Sequence, residues 1–252
     1  MIKFSVIILA KNEERTIAAA VASAKQVSDD VLLVDSGSTD RTIPLATAGG
    51  ARVLSISWPG FGAARNLGAA AAKYEWVFCL DADEVITGEL AASLRVWQPD
   101  GQVLYGCRRR NFVASHEIRY GEWGHDRVMR LYNRNYWEWN ADKVHENVVR
   151  KDGGERRRMV LPGALLHYTT TDLDTYRKKL DNYARLSAVK FFEAGKKGTF
   201  SKRYLSPVFG FVKNYITRMG FLDGSDGLRI ALLHAGYTRK KYRCLDELYK
   251  LA

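Results

Sequence analysis

The chain has 252 residues, 46% hydrophobic and 27% charged, with 21 Gly, 5 Pro and 3 Cys; that length suits one α/β domain with additions, and the composition excludes disordered, collagen-like and coiled-coil classes. The formal net charge of +11 is uneven, because residues 1–176 carry 22 Lys/Arg against 22 Asp/Glu whereas residues 177–252 carry 17 against 6. Such a tail either meets an anionic partner or presents a solvated basic face.

The apolar stretch Phe4 to Ala10 runs directly into Lys11-Asn12-Glu13-Glu14-Arg15, too short for a targeting or spanning segment and suited to a first buried strand. Helical composition over Arg15–Lys25 follows, then a strand at Val31–Val34, a helix at Thr39–Ala48, a strand at Arg52–Ser57, a helix at Ala63–Lys73 and a strand at Trp76–Leu80. This alternation predicts a Rossmann-like half with four parallel strands. Beyond Leu94 the runs Val103–Arg110, Val128–Tyr132, Val144–Arg150 and Met159–Leu165 read as antiparallel strands. From Thr171 the chain reads as helical, opened by a capping-box-like Thr171 and Asp174, with a stripe from Leu173 through Tyr176, Leu180, Tyr183 and Ser187 to Phe191. The expected division is therefore a catalytic domain over 1–170, split into a nucleotide half (1–95) and an acceptor half (96–170), and a helical basic extension over 171–252. Cys79, Cys107 and Cys244 match neither a disulfide framework nor a zinc site, which suits a reducing compartment.

Ligands of parallel sheets bind beyond the carboxyl ends of the strands. Reading those ends in order gives Lys11-Asn12-Glu13, then Asp35-Ser36-Gly37-Ser38-Thr39-Asp40, then Gly60-Phe61-Gly62-Ala63-Ala64-Arg65-Asn66, then Asp81-Ala82-Asp83-Glu84. Two carboxylates two residues apart after a buried strand suit Mg2+ or Mn2+ that also holds phosphates, or else form a turn and helix cap. Asp35 reads as an acceptor for a base or ribose, or as turn chemistry. Gly60-x-Gly62-x-x-Arg65 has Arg where a dinucleotide fingerprint needs its third Gly and follows the third strand, so NAD is rejected. A helix N-terminus with an Arg beside it remains, an anion site suited to a diphosphate.

The set in this order, Ser5-Val6-Ile7-Ile8-Leu9-Ala10-Lys11-Asn12-Glu13-Glu14, Val34 to Asp40, Ala64-Arg65-Asn66-x-Gly68 and Asp81-Ala82-Asp83-Glu84, closely resembles the GT-A nucleotide-sugar glycosyltransferases of family 2. Further on, Arg110-Asn111-Phe112, Trp123, Arg130-Leu131-Tyr132, Val144-His145-Glu146, His167 and Gly220 to Gly224 resemble its lipopolysaccharide inner-core β-1,4-glucosyltransferase branch, which adds a sugar to a heptose. The resemblance implies a GT-A α/β fold and an inverting transfer of a hexose, glucose by the branch, from a UDP-sugar to a glycolipid such as a core heptose. It implies that Glu13 and Asp35 contact the uridine, Arg65 the base or diphosphate, and Asp81 the ribose and metal. Asp83 would be the principal ligand of a divalent ion, with Lys11, Ser36 and Ala82 counted in the same nucleotide site.

No Glu-Asp pair of the usual catalytic-base kind follows the Asp-x-Asp, which leaves Asp126 and Glu146 as candidates to take the acceptor proton. Each has a bland alternative, an ion pair with Arg127 or Arg130 for Asp126 and with one of the nearby Arg side chains for Glu146. His145, beside one candidate, is the histidine expected to complete the metal shell, whereas His167 in its apolar run reads as a core residue. The apolar, aromatic Tyr204–Phe221, interrupted by Lys213 and Arg218 and flanked by basic pairs, is expected to lie on the anionic inner face of the cytoplasmic membrane, or else to cap the sheet. Two other functions compete: a sugar-nucleotide nucleotidyltransferase, which lacks its Gly-rich loop here, and a nucleic-acid-binding protein, which leaves Asp81 and Asp83 unexplained. No nucleic-acid partner is therefore expected.

Overall fold

The computed structural model describes residues 2–140 and 146–251, which form two units, Met1–Arg109 with Arg127–His167 and Arg110–Asp126 with Tyr168–Ala252. In the first unit the strands β1 (Ser5–Ala10), β2 (Asp30–Asp35), β3 (Arg52–Ser55) and β4 (Trp76–Asp81) lie parallel in the order β3-β2-β1-β4. They are joined by helices α1 (Ile17–Lys25), α2 (Thr42–Ala48) and α3 (Phe61–Ala71). Both faces of this half-sheet are covered, which is why its strands are unbroken apolar runs. Val6, Ile8, Leu33 and Phe78 cluster with Ile17, Ala20 and Val21 of α1. The alternate residues Ile7, Leu32, Val34 and Val77 cluster with Ala69 of α3 and its neighbour Ala72. Gly68 lets α3 sit that close, since a Cβ there would stand 2.7 Å from methyls of Ile7 and Val34.

After β4 come β5 (Glu84–Ile86), α4 (Gly88–Val96), β6 (Val103–Val113), β7 (His116–Ile118), β8 (Arg127–Asn133), β9 (Trp137–Trp139), β10 (Val148–Arg150) and β11 (Arg157–Thr170). The sheet continues β4-β8-β6-β11-β5, with antiparallel pairing of β8 to β4 and β6 and of β11 to β5, while β9 and β10 form a separate ribbon. The expected α/β class, a mostly parallel half followed by an antiparallel one and then helices, is the architecture found. Boundaries differ where side chains intervene. α1 begins at Ile17, not Arg15, because Asn12 takes a left-handed φ of 56° and Lys11–Arg15 leave the strand as a loop. β5, absent from the sequence reading, follows Asp83 directly. Of the strand expected over Val144–Arg150, residues 144 and 145 lie outside the described residues.

The second unit is built on helices α5 (Leu173–Glu193) and α7 (Gly224–Leu251), with α6 (Ser206–Val212) between them in sequence. The cap of α5 is Asp172, whose carboxylate accepts from Thr175 N at 2.7 Å, in place of the expected Thr171. Tyr176, Ala184, Ser187 and Ala188 of α5 and Ile230, Ala231 and Leu245 of α7 are buried. Ser187 hydrogen-bonds Tyr237 at 2.9 Å, and Tyr176 meets His234 at 3.0 Å. Among the described residues no helix is long and apolar enough to cross a membrane.

Candidate functional site

The carboxyl ends of β1, β2 and β4 adjoin, because the register pairs Ala10 with Asp35 and Leu9 with Asp81. Asp35 is buried, and its Oδ2 accepts from the backbone N–H groups of Gly37 at 2.9 Å and Ser38 at 3.0 Å. Its Oδ1, equally buried, has no hydrogen-bond partner among the described residues. A buried acceptor without a donor is costly. Around it, Asn12 Oδ1 accepts from Thr39 N at 2.8 Å and Ser38 Oγ accepts from Asn12 N at 2.9 Å, locking the two loops together. The Ser36 hydroxyl donates to Ala10 O at 3.2 Å and ties the strand ends. Glu13 accepts from Thr16 Oγ1 at 3.1 Å, and Lys11 is exposed on the same edge.

Asp81 stands between two guanidinium groups. Arg65 Nη2 donates to Oδ1 at 2.8 Å and Arg130 Nη2 to Oδ2 at 2.5 Å. Burial alone would push its carboxyl up, but Arg130 and Arg65 overturn that and hold it well below the usual carboxylate range. Arg130 also donates to Glu84 at 3.0 Å, and Arg109 reaches the same carboxylate at 3.3 Å. Glu84, 0% exposed, accepts in addition from Asp81 N at 3.0 Å. Arg65 spans Asp81 and Glu146, which it meets at 2.6 Å, and lies over the Trp139 ring at 4.4 Å. Gly60, with φ of +103°, precedes its helix as the cap, and the space at Gly62 is filled by backbone, since a Cβ there would stand 2.2 Å from Asn140 O. Gly62 therefore lets the helix approach β9.

Asp83 lies elsewhere in the local chemistry. His167 pairs with Glu84 in the β11–β5 register, and this puts its Nε2 3.3 Å from Asp83 Oδ2. The pair joins a hard carboxylate oxygen to an imidazole nitrogen, a donor set that suits Mn2+ and admits Mg2+. Among the described residues no three His, Cys, Asp or Glu side chains converge, so the rest of a cation's shell would fall to phosphate oxygens and water. His167 is buried and partnered, as its reading as a satisfied core residue expects, and the partner is the second Asp; His145 lies outside the described residues. Ala82 packs in the apolar cluster, leaving only its backbone for a ligand.

The two candidate bases differ in setting. Glu146 carries the ion pair with Arg65, the bland alternative raised for it. Asp126 belongs to the second unit, where Asn111 Nδ2 donates to its Oδ2 at 3.3 Å. Of Arg127 and Arg130, the two ion-pair partners considered for Asp126, Arg130 pairs with Asp81 and Glu84.

A family model described as glycosyl transferase family 2 matches residues 5–182, a span that contains every strand end described above. The chain belongs to glycosyl transferase family 2. An uncharacterised glycosyltransferase of Rickettsia typhi is 26% identical over 93% of this chain and 84% of its own length. The lipopolysaccharide core biosynthesis glycosyltransferase LpsC of Rhizobium meliloti is 26% identical over 94% of this chain and 92% of its own. Glucosyl-3-phosphoglycerate synthase from Mycobacterium tuberculosis, solved with Mg2+ and UDP, is 28% identical over 43% of each chain at a TM-score of 0.36, a likeness too loose to carry an argument. For a family 2 chain the residues that sequence reading left out of the site are Arg130, Glu84 and His167. The only signal for them was their occurrence in the stretches that resemble the family, since strand pairing brings them together from distant positions.

Proposed function

We propose that this family 2 chain transfers a hexose, glucose in our reading, from a UDP-sugar to a hydroxyl of a glycolipid acceptor, a lipopolysaccharide core heptose or a close relative of it, with inversion. The observation that carries the reading is the set of acidic groups at one sheet edge: Asp35 with its unpartnered Oδ1, Asp81 between two arginines, and Asp83 beside His167. Asp35 suits a nucleoside N–H or hydroxyl. Asp83 and His167 would hold a divalent cation, which when bound offsets the negative charge of the departing diphosphate. Arg65 and Arg130 orient Asp81 for a ribose hydroxyl. The printed name of the Rhizobium relative supports the acceptor. Three free thiols suit a reducing compartment, and a lipid-borne acceptor then puts the reaction on the cytoplasmic side of the membrane.

In the transfer the acceptor oxygen attacks the anomeric carbon, its proton passes to a carboxylate, and the bond from sugar to diphosphate breaks as UDP leaves. We assign the holding of Arg65 to Glu146, which pairs with it at 2.6 Å, and the proton to Asp126. Calorimetry of UDP with and without Mn2+ tests the donor side. The wild type is expected to bind in a metal-dependent way that Asp83→Ala and His167→Ala abolish; metal-independent binding, or binding unchanged in both variants, overturns the assignment. With a truncated lipopolysaccharide acceptor, Asp126→Asn should lower kcat about a hundredfold or more while UDP binding persists, and Glu146→Gln should act mainly on donor KM. The reverse pattern makes Glu146 the base.

A further inference from the structure

Residues 196–222 contain six Lys/Arg and no Asp/Glu. In the second unit this stretch forms wide turns at Ser201–Leu205 and Lys213–Thr217 on either side of α6. Its side chains are sorted in the opposite sense to an ordinary surface helix, which buries its large apolar groups. Pro207 and Asn214 are buried, and Ser206 and Gly210 half-buried. Leu205, Val208, Phe209, Val212 and Ile216, at the i, i+3, i+4, i+7 and i+11 positions of the other side, are exposed, Phe209 by 69%. Phe200 beside them is 75% exposed. Ten of the 25 exposed large hydrophobics among the described residues fall between Phe200 and Leu222, which makes this a patch and not the ordinary scatter of a soluble surface.

We infer that this face docks on an anionic lipid bilayer, with the apolar side chains entering the boundary between headgroups and acyl chains and the lysines meeting lipid phosphates. Lys197, Lys202 and Lys213 are exposed within or beside the patch, so the partner has to be both apolar and negatively charged at its rim. A second copy of the chain brings the same exposed Lys197, Lys202 and Lys213 and no compensating carboxylate from this segment, Arg203 being already paired with Asp246 of α7, and like charge opposes that pairing. A nucleic acid matches the charge but leaves the aliphatic row in water. A bilayer rich in anionic lipid matches both, and the shortness of the segment keeps it in the interface plane. The inference goes beyond the sugar-transfer reading and uses none of its residues.

The test is flotation of the full chain with vesicles of phosphatidylcholine alone and of phosphatidylcholine with about 30% phosphatidylglycerol, at low and high salt. The wild type should float with the anionic vesicles only and be released by salt. Leu205→Ser with Phe209→Ser should weaken binding about tenfold or more, and Lys202→Glu with Lys213→Glu, which leaves the apolar row intact, by a similar factor. UDP binding should be unchanged in both variants, so failure here is separable from failure of the donor site. Absence of binding to anionic vesicles, or binding that neither variant alters, overturns the inference. So does a dimer, seen by light scattering and broken by Leu205→Ser with Phe209→Ser, in a protein that does not bind vesicles.

Discussion

Arg130 is the residue on which the acidic edge depends. Its side chain, 5% exposed, is the shared cation of Asp81 and Glu84, and two carboxylates that close repel each other without it. Replacing it by the apolar Arg130→Met leaves Glu84 with Arg109 as its cation and Asp81 with Arg65. A broken buried pair costs about 3–5 kcal/mol when the remaining charge is left alone, and less here because Arg109 and Arg65 stay. Urea denaturation of Arg130→Met should show a loss below that ceiling, and adding Glu84→Gln should recover part of it, since the buried charge that has lost its nearer cation is then removed. Simple additivity of the two losses would mean that Arg130 and Glu84 are not coupled. At this scale the sequence made Asp81 and Asp83 visible because they directly follow a buried strand. His167 was hidden because its neighbour Asp83 depends on the β11–β5 register, which no local pattern encodes.

Among the elements, β1, β2 and β4 were legible because burial on both faces demands continuous apolar runs, and their parallel order follows from the short helical links between them. The helix starts were less so, because loop hydrogen bonds such as Asp40 to Thr42 N at 2.9 Å and Asp172 to Thr175 N at 2.7 Å decide them. The amino-terminal edge of the sheet holds a cluster that periodicity did not reveal. Asp30 accepts from Ser5 Oγ at 2.6 Å, Arg52 Nε at 2.9 Å and Lys73 N at 2.9 Å, and so ties β1, β2, β3 and the end of the α3 segment together. Burial pushes the Asp30 carboxyl up, but Ser5, the Lys73 N–H and Arg52 outweigh it and hold it below the usual range. A depressed carboxylate stabilises the fold fully above its unfolded value of about 4, and this contribution is lost as pH falls through the lower folded value. Asp30→Asn should therefore flatten the acid arm of a stability–pH curve and lower stability at neutral pH by about 1–3 kcal/mol. An acid arm identical to the wild type would assign that pH dependence to other carboxylates.

At the scale of the whole molecule, the two units carry separate chemical reporters. Cys79 and Cys107 are buried in strands of the first unit, whereas Cys244 is partly exposed on α7 of the second. Burial raises the Cys79 thiol and pushes Cys107 up to about 12, so neither supplies thiolate at neutral pH while the first unit is folded. An alkylating reagent should label Cys244 within the native protein and the other two only as urea unfolds their unit. Because a ligand stabilises only the fold that binds it, UDP with Mn2+ should shift the labelling of Cys79 and Cys107 to higher urea, by about 2.7 kcal/mol at a hundredfold excess over Kd. Labelling of Cys244 gives the contrast, since Asp35, Asp81 and Asp83, which we propose for the donor, all lie in the first unit. Peptide mapping by mass spectrometry reads all three thiols in one experiment. A ligand-induced shift at Cys244 with none at Cys79 and Cys107 would move the donor site out of the parallel sheet, and equal shifts at all three would mean that the units unfold as one.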